Sequence, residues 1–297
     1  MQQSRHSWQP AEPPQRAVLF VNPVSGGGKA ARTAIADRAR ERGVEAIVLT
    51  PDRSLATLVR EAVERGADAL GVAGGDGSLA VVAEVAQAHG LPFVCVPTGT
   101  RNHFARDVGV DLHDPVAALD AFTHGVERRI DLAEVNGRVF LNNVSLGIYG
   151  DAVRQRGYRD AKLRTLLETT AEVLGPGAPA PELQLVDDLG REHRHPAVVL
   201  VSNNPYVSDR PLVPGTRPAL DSGQLGIIVL EPLRTPPDPP PRAWSARAIR
   251  VNAPAPVHAG IDGEAVDLVP PLEFVTRPSA LRVRISPRHP ETSPGSV

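Results

Sequence analysis

The first half of this chain alternates short apolar runs with alanine- and arginine-rich stretches, and a glycine-bearing loop follows three of the apolar runs. This alternation predicts a parallel β-sheet covered by helices, because parallel strands need a crossover connection, usually a helix. The predicted strands are Ala17–Val21, Ala46–Leu49, Ala69–Ala73 and Phe93–Val96. The predicted helices cover about Ala30–Arg42, Leu55–Arg65 and Leu79–His89. Phosphate sites in such sheets lie at the carboxyl ends of the strands, where these glycine loops stand.

The pattern changes near residue 131, after which strand follows strand with turn residues between them. Such a succession predicts an antiparallel sandwich or barrel. The predicted strands are Val139–Val144, Glu182–Val186, Ala197–Ser202, Gly226–Leu230, Ala248–Asn252, Val266–Leu268 and Leu281–Ile285. One helix is predicted among them, at about Tyr158–Leu174.

The predicted fold class is therefore α/β plus all-β, with an α/β domain over residues 16–131 and a mostly β domain over residues 132–280. The two tails, residues 1–15 and 287–297, are polar and proline-containing and show no periodicity. We expect both tails to be disordered.

The first glycine loop, residues 22–29, reads NPVSGGGK and joins a predicted strand to a predicted helix. Glycines let the backbone approach an anion closely, and the free N–H groups at the start of the helix face it. The loop is not a Walker A motif, because no glycine stands five residues before Gly28 and Ala30 replaces the serine or threonine. Gly26, Gly28 and Ala31 satisfy the looser G-x-G-x-x-A pattern, which is weak evidence by itself.

The other two loops read GGDGS, residues 74–78, and PTGTRN, residues 97–102. In the second loop Asp76 stands among three glycines, where it could hold Mg²⁺ or take a proton. The third loop offers two hydroxyl groups, a flexible backbone and a cation. Because all three loops follow strands of one predicted parallel sheet, we expect them to form one nucleotide site.

Composition narrows the classes of function. The net charge of −2 excludes a global field that would draw the chain to nucleic acid. One cysteine, Cys95, excludes an internal disulfide framework, and the nine histidines show no metal-binding spacing. No apolar run approaches the ~18 residues of a membrane span, and the first fifteen residues lack the apolar stretch of a signal peptide. We expect a cytoplasmic protein that meets a membrane, if at all, from its surface.

Six motifs together resemble the diacylglycerol kinase catalytic-domain family, which includes bacterial lipid kinases and sphingosine kinases and is related to NAD kinases and phosphofructokinases. The motifs are NPVSGGGK, GGDGS, PTGTRNHFARDVG, NNVSLGIYGDAV, ALDSGQLG and AGIDGEAV, and they extend over roughly residues 16–286. The resemblance implies phosphorylation of a lipid hydroxyl by ATP, in a cleft between an α/β nucleotide-binding domain and a β-sandwich domain. It also implies that the strand at 281–286 returns to the first domain.

The resemblance also implies roles for individual residues. Asp76 becomes a residue for Mg²⁺ and phosphate and a candidate base. Asp262 becomes the catalytic carboxylate and Glu264 its partner, whereas an ordinary hairpin turn is the other interpretation of this Asp-Gly-Glu sequence. The residues implied for ATP are Asn22, Ser25, Gly26, Gly75, Gly77, Ser78, Thr98, Gly99, Thr100 and Asn102.

Several positions depart from the family pattern. Ser78 stands where many members have threonine, and His103 replaces an acidic residue. Ser222 and Gly226 stand where members often carry aspartates that bind a structural Mg²⁺, which leaves only Asp221. We therefore do not expect that second metal.

A basic segment is predicted to bind an anionic lipid surface. Its other interpretation is a helix face exposed to solvent. Its basic residues are Arg154, Arg156, Arg159, Lys162 and Arg164. The predicted function is an ATP-dependent, Mg²⁺-dependent kinase of diacylglycerol or a similar lipid alcohol. A kinase of a soluble substrate, as NAD kinases are, and a nucleotide-binding regulator without catalysis are the alternatives. A dinucleotide oxidoreductase ranks last because it leaves GGDGS and PTGT unexplained, and the sequence leaves a homodimer open.

Overall fold

The computed structural model of the chain describes residues 8–147, 182–207, 216–231 and 242–288. The chain divides into two units, which we call the α/β unit (Met1–Ile130 with Ser279–Val297) and the β unit (Asp131–Pro278). The predicted helix at 158–174 and the basic segment at 154–164 lie outside the described residues.

The α/β unit contains a parallel sheet, as predicted. Its first strands are β1 Gln9–Pro10, β2 Ala17–Val21, β3 Glu45–Val48, β4 Ala69–Gly74 and β5 Pro92–Pro97. Its helices are α1 Ser25–Arg32, α2 Ile35–Arg40, α3 Leu55–Glu64, α4 Asp76–Ala88, α5 His103–Asp107 and α6 Ala121–His124, with a 3₁₀ turn at Ala117–Asp120. Strands β3, β2, β4 and β5 lie in that order and are parallel. Strands β2, β4 and β5 are buried along their whole length, as strands of a sheet covered on both faces are.

One predicted helix is two. The sequence predicted a single helix over about residues 30–42, but α1 ends at Arg32 and α2 begins at Ile35. Ala34 between them has a left-handed φ of 48°. The hydroxyl of Thr33 donates to the carbonyl oxygen of Lys29 at 2.8 Å, so a local hydrogen bond accompanies the end of the first helix.

Part of the predicted N-terminal tail has a regular structure. Residues 1–15 were expected to be disordered, but Gln9 and Pro10 pair antiparallel with Glu127 and Val126. Asp68 accepts hydrogen bonds from the backbone N–H groups of Gln15 and Arg16, at 2.7 and 2.9 Å. The pairing is compatible with proline because β1 is a two-residue strand at the edge of its sheet. Backbone pairing of this kind leaves no hydrophobic periodicity in the sequence.

The β unit is built of antiparallel strands. They are β7 Arg138–Phe140, β8 Asn143–Gly147, β9 Gln184–Asp187, β10 Glu192–Arg194, β11 Val198–Asn203, β12 Leu225–Leu230, β13 Arg242–Ala246, β14 Ala248–Asn252, β15 Val257–Ile261 and β16 Glu264–Leu268. Two longer strands, β6 Val126–Val135 and β17 Leu272–Ile285, each have residues in both units. One sheet has the order β13-β12-β11-β8-β15-β16. In a second group, β14 pairs with β9 and with the first part of β17.

Both groups of strands contribute to one apolar core in the β unit, which is the arrangement of a sandwich. Phe140 and Phe274 meet edge to face within it, with ring centroids 6.3 Å apart. The sequence predicted one strand over Val139–Val144, and the structure has two, because the chain leaves the ladder at Leu141 and Asn142.

The last strand contributes to the α/β unit as well. Residues 282–284 of β17 pair in parallel with residues 92–94 of β5, and Val283 stands opposite Phe93. The first part of the same strand pairs antiparallel with β14 in the β unit, where Phe274 stands opposite Ile249. The strand therefore completes the parallel sheet beyond β5.

Within the described ranges, no helix is both long enough and apolar enough to cross a membrane.

Candidate functional site

The three glycine loops of the α/β unit meet one another at the ends of β2, β4 and β5. A Cβ atom on Gly26 would lie 2.2 Å from the carbonyl oxygen of Thr98, and one on Gly99 would lie 2.7 Å from the Cα of Gly75. Real Cβ atoms do not approach so closely, so these positions accept only glycine in this backbone. The sequence-predicted loops are thus brought together, and their glycines permit the contact.

The first loop is a left-handed turn. Gly26, Gly27 and Gly28 have φ values of 57°, 66° and 86°, and the helical part of α1 follows them. The guanidinium of Arg32 donates to the carbonyl oxygen of Gly27, and the carboxamide of Asn22 accepts from the N–H of Val24 at 3.2 Å. Turns of this kind orient backbone N–H groups toward a common concavity, which is a favourable site for an anion.

Asp76 is the first residue of α4, directly after Gly75, the residue that caps this helix. Its side chain is 7% exposed, and its two oxygens accept the backbone N–H groups of His103 and Phe104, at 3.4 and 3.3 Å. The carboxylate therefore ties the second loop to the first turn of α5. Its negative charge lies at the N-terminal ends of two helices, where the helix dipoles favour it.

His103 stands next to this carboxylate, with its Nδ1 atom 3.8 Å from Oδ2 of Asp76. Burial lowers the pKa of His103 below its ordinary value of 6.5, although the charge of Asp76 acts in the opposite direction. The ring is therefore neutral at neutral pH. Burial, together with the charge of Asp76, also raises the pKa of the Cys95 thiol, so Cys95 is not an activated nucleophile.

The third loop is held by Asn102, which has a left-handed φ of 50°. Its carboxamide accepts from the N–H of Gly99 at 2.9 Å and donates to the carbonyl oxygen of Gly99 at 2.8 Å. Asn102 thus holds the loop closed through its side chain. Thr98 in the same loop is fully buried, and its hydroxyl oxygen has no hydrogen-bond partner among the described residues. A buried hydroxyl without a partner is unusual, and a bound ligand would satisfy it.

The remaining residues implied for the nucleotide lie on the same three loops. They are Ser25, Gly77, Ser78 and Thr100. The hydroxyl oxygen of Ser25 is 3.8 Å from where a Cβ of Gly75 would stand, so the first and second loops are adjacent there.

In the β unit, Asp262 and Gly263 form the two-residue turn between β15 and β16, with φ values of 49° and 88°. Asp-Gly with two positive φ angles is the signature of a type I′ hairpin turn, so the hairpin interpretation of this sequence is correct. The turn also has a second property. The carboxylate of Asp262 points back at residues 141–143 and accepts three of their N–H groups.

Those three hydrogen bonds fix the orientation of the Asp262 carboxylate. The N–H of Leu141 donates to Oδ2 at 2.8 Å, and the N–H groups of Asn142 and Asn143 donate to Oδ1 at 2.7 and 3.2 Å. The interruption between β7 and β8 supplies two of these donors, Leu141 and Asn142, because residues outside a ladder have N–H groups that strand pairing does not use. The third donor, Asn143, is the first residue of β8. Glu264, the implied partner, begins β16 and has an exposed side chain.

Around this turn lie residues that the sequence did not single out. Arg217 is 1% exposed and is the largest fully buried side chain of the described residues. It donates to the carbonyl oxygens of Leu141 and Asn203, at 2.5 and 2.9 Å, and its Cζ lies 5.7 Å from the centre of the Tyr206 ring. No sequence pattern marks an arginine of this kind, since its bonds go to backbone groups that are remote in sequence.

Ser222 and Gly226, which stand where the resemblance implies aspartates for a structural Mg²⁺, have other contacts in this structure. The backbone N–H and the hydroxyl of Ser222 both donate to Oδ1 of Asn204, at 2.9 and 2.6 Å. A Cβ on Gly226 would lie 2.5 Å from the hydroxyl oxygen of Ser202 and 2.6 Å from the Cα of Pro205. This backbone therefore has no room for an aspartate at position 226. In the part of the chain that the structure describes, no three histidine, cysteine or acidic side chains form a metal-binding group.

Comparison with known proteins confirms the resemblance. Residues 16–135 match the model of the family described as diacylglycerol kinase catalytic domain. A Pseudomonas aeruginosa protein named "Probable lipid kinase YegS-like" is 37% identical over 151 residues, which is 50% of this chain and 49% of that protein. A diacylglycerol kinase of Mycobacterium tuberculosis is 34% identical over 125 residues, 40% of each chain. The matched region thus spans half or less of these relatives.

Solved structures extend the likeness to the whole fold. The crystal structure of a diacylglycerol kinase from Bacillus anthracis str. Sterne aligns with 93% of this chain and 98% of its own, at a TM-score of 0.65 and 17% identity. At that identity the likeness establishes the fold. The predicted fold class, a parallel α/β part followed by an antiparallel β part, is confirmed.

Proposed function

We propose that this chain is an ATP-dependent lipid kinase, which transfers the γ-phosphate of ATP to the hydroxyl group of diacylglycerol or a similar lipid alcohol. The observation that carries the proposal is the close approach of the three glycine loops, with Gly26 against Thr98 and Gly75 against Gly99. The family match over residues 16–135 and the names of the relatives support a lipid acceptor. ATP and Mg²⁺ are the proposed cofactors.

The loops of the α/β unit are the proposed phosphate site. Backbone N–H groups of the left-handed glycine turn and of the start of α4 suit phosphate oxygens, because they offer several donors and a favourable dipole. The unpartnered hydroxyl of Thr98 adds a donor that a ligand oxygen would satisfy. In this proposal Asn102 contributes by holding Gly99 in place.

Asp76 is the proposed residue for Mg²⁺, which when bound would neutralise charge on the phosphate oxygens during transfer. The N–H groups of His103 and Phe104 hold one side of the carboxylate, one donor to each oxygen. A carboxylate fixed in this way can keep its position when a ligand arrives. The neutral ring of His103 beside it adds no charge to the site at neutral pH.

Asp262 is the proposed general base, which accepts the proton of the lipid hydroxyl. Phosphoryl transfer requires little covalent work by the protein, and a positioned carboxylate is a suitable base for it. Three backbone N–H groups fix that position here. Glu264, two residues later, is its proposed partner.

Transfer of label from γ-labelled ATP tests the proposal, with a total lipid extract and NAD as parallel acceptors. Label in the lipid fraction supports a lipid kinase, whereas label in NAD supports the alternative of a soluble substrate. Label in neither acceptor, with ATP still bound, would show a regulator without catalysis.

The Asp262→Asn variant tests the base in the same assay. We expect kcat to fall about 10²- to 10⁴-fold, as is usual for loss of a general base. Asp267→Asn is the matched control, because Asp267 is an exposed aspartate of the same hairpin. Full activity of Asp262→Asn would remove Asp262 as the base.

Binding to a membrane surface through Arg154, Arg156, Arg159, Lys162 and Arg164 is the remaining part of the proposal, and it rests on sequence alone. Sedimentation with anionic vesicles tests it in the Arg154/Arg156/Arg159→Glu variant. We expect this variant to remain in the supernatant, while a control variant with the exposed Arg242, Arg247 and Arg250 changed to Glu still sediments. Equal sedimentation of the two variants would contradict the proposal.

A further inference from the structure

Arg217 has the environment of an internal cation in the β unit. Its guanidinium donates to the carbonyl oxygens of Leu141, Asn142 and Asn203, at 2.5, 3.5 and 2.9 Å, and to the side-chain oxygen of Asn142 at 2.8 Å. With 1% of the residue exposed, it lies out of reach of bulk solvent. A buried guanidinium is costly unless oxygen acceptors surround it, and these four supply such a shell.

Two of the four acceptors of Arg217 belong to the same peptide units that hold Asp262. The peptide unit between Leu141 and Asn142 accepts from Arg217 at its carbonyl oxygen and donates to Oδ1 of Asp262 at its N–H, with distances of 2.5 and 2.7 Å. The next unit, between Asn142 and Asn143, has the same two contacts at 3.5 and 3.2 Å. A positive and a negative side chain are thus joined through the peptide groups between them.

Such a bridge strengthens both hydrogen bonds. A cation at the carbonyl oxygen polarises the peptide group, which makes its N–H a better donor to the carboxylate on the other side. The low polarity of a buried site increases the effect. The interaction also orders Leu141 and Asn142, which lie between β7 and β8, together with Asn143, the first residue of β8.

We propose that Arg217 is a positioning residue for Asp262, and that it acts through the backbone of residues 141–143. The inference rests on the proposed function, in which Asp262 is the base. Arg217 itself touches no reacting group. It determines where the carboxylate stands and how strongly the three N–H groups hold it.

Neighbouring side chains support the same backbone. The N–H of Asn203 donates to the carbonyl oxygen of Asn142 at 3.0 Å, and the carboxamide of Asn143 donates to the hydroxyl of Tyr206 at 3.0 Å. The ring of Tyr206 in turn lies beside the guanidinium of Arg217. Arg217 therefore connects several groups that hold residues 141–143.

Arg217→Lys is the first variant, because lysine keeps the positive charge and loses the planar fork that reaches several carbonyl oxygens at once. We expect kcat to fall at least tenfold while KM for ATP stays within about twofold, since the change affects the base and not the nucleotide loops. In the Asp262→Asn background the same substitution should have no further effect on kcat. Arg284→Lys is the control: it alters another buried arginine, which bonds Glu12 in the α/β unit.

A double-mutant cycle on the unfolding equilibrium constant measures the interaction between Arg217 and Asp262 without an activity assay. We expect the effects of Arg217→Lys and Asp262→Asn on this constant to be coupled by at least fivefold. The reason is that each side chain contributes less to stability once the other has been replaced. Asn142→Ala is the second variant should Arg217→Lys fail to fold. It removes one acceptor of Arg217 and leaves the buried charge, and we expect a smaller loss of kcat with KM unchanged.

The outcomes separate this inference from the proposed function. Coupling of at least fivefold supports the connection between Arg217 and Asp262 through the backbone of residues 141–143. If the coupling is found but the wild-type protein transfers no label to any acceptor, only the proposed function is overturned. Coupling of less than twofold overturns the inference. The inference is also overturned if Arg217→Lys lowers kcat by the same factor in the Asp262→Asn variant as in the wild type. In either of those cases Arg217 is a structural residue only.

Discussion

Gly26 and Thr98 lie so close that a Cβ atom on Gly26 would stand 2.2 Å from the carbonyl oxygen of Thr98. The two residues belong to different loops, which follow β2 and β5. Their contact is the most direct evidence that the glycine loops form one site. The neighbouring Gly27 has no such contact, so substitutions of the two glycines can be compared directly.

Gly26→Ala should weaken ATP binding at least tenfold, since the methyl group forces the first and third loops apart. Gly27→Ala is the matched variant: its φ of 66° resembles the 57° of Gly26, but nothing lies within 4 Å of the added Cβ. Both variants carry the strain of an alanine in a left-handed conformation, about 1–2 kcal/mol. Calorimetric titration with ATP separates the contact from the strain, and equal losses in the two variants would contradict the predicted site.

Asp76→Asn should remove the effect of Mg²⁺ on ATP binding. The N–H groups of His103 and Phe104 bond to different oxygens of Asp76, and the single oxygen of the carboxamide can replace only one of these two acceptors. We therefore expect ATP binding to weaken somewhat as well, so the effect of Mg²⁺ on binding is the quantity that reports the lost charge. Titrations with ATP in the presence and absence of Mg²⁺ measure the difference. Asp37→Asn, in the first turn of α2, is the control for loss of a carboxylate at a helix start. A variant that still binds ATP more tightly with Mg²⁺ would exclude Asp76 as the metal residue.

His103 should make the protein less stable as the pH falls. Its pKa in the folded protein is below its ordinary value of 6.5, chiefly because of burial, so below pH 6.5 the unfolded chain binds more protons than the folded one. The stability that the neutral ring permits is complete above pH 6.5 and is lost as the pH falls toward the lowered pKa. When the pH is lowered from 7.5 to 5.5, the Tm of the wild type should therefore fall more than the Tm of His103→Gln. A difference that stays constant with pH would show that the pKa is not lowered.

Gly226→Asp should destabilise the protein with or without Mg²⁺. An added Cβ at this position meets the hydroxyl of Ser202 and the Cα of Pro205, and backbone atoms cannot move aside cheaply. Overpacking of this kind costs about 1–3 kcal/mol. Urea unfolding in the presence and absence of Mg²⁺ tests the prediction. Stabilisation by Mg²⁺ would show that an aspartate at this position can take part in binding the metal.

The regular part of the fold was predictable because its signals are local. The apolar run Ala17–Val21 is a strand with those same bounds, and α3 begins after Ser54, whose hydroxyl accepts the N–H of Thr57 as a helix cap does. Strands without an apolar run were missed. Among them, β15 reads VHAGI, in which a histidine and a glycine interrupt the pattern.

The site was predictable only where residue type determines the chemistry. The glycines of the three loops predicted that these loops meet at one edge of the sheet, because few residues other than glycine allow such close approach. The support for Asp262 was not predictable, since Leu141 and Arg217 contribute through contacts more than 70 residues away in sequence. The division of Val139–Val144 into two strands, which frees those donors, has no local signal either.

The return of β17 to the parallel sheet has a consequence for synthesis of the protein on the ribosome. Until Val283 and its neighbours emerge, β5 is hydrogen-bonded only to β4 and has one exposed edge of the apolar sequence PFVCVP. Open apolar strand edges promote aggregation. The α/β unit is thus finished by residues that are translated after the whole β unit, although its other strands are made first. A fragment that ends at residue 135 would keep that edge open permanently.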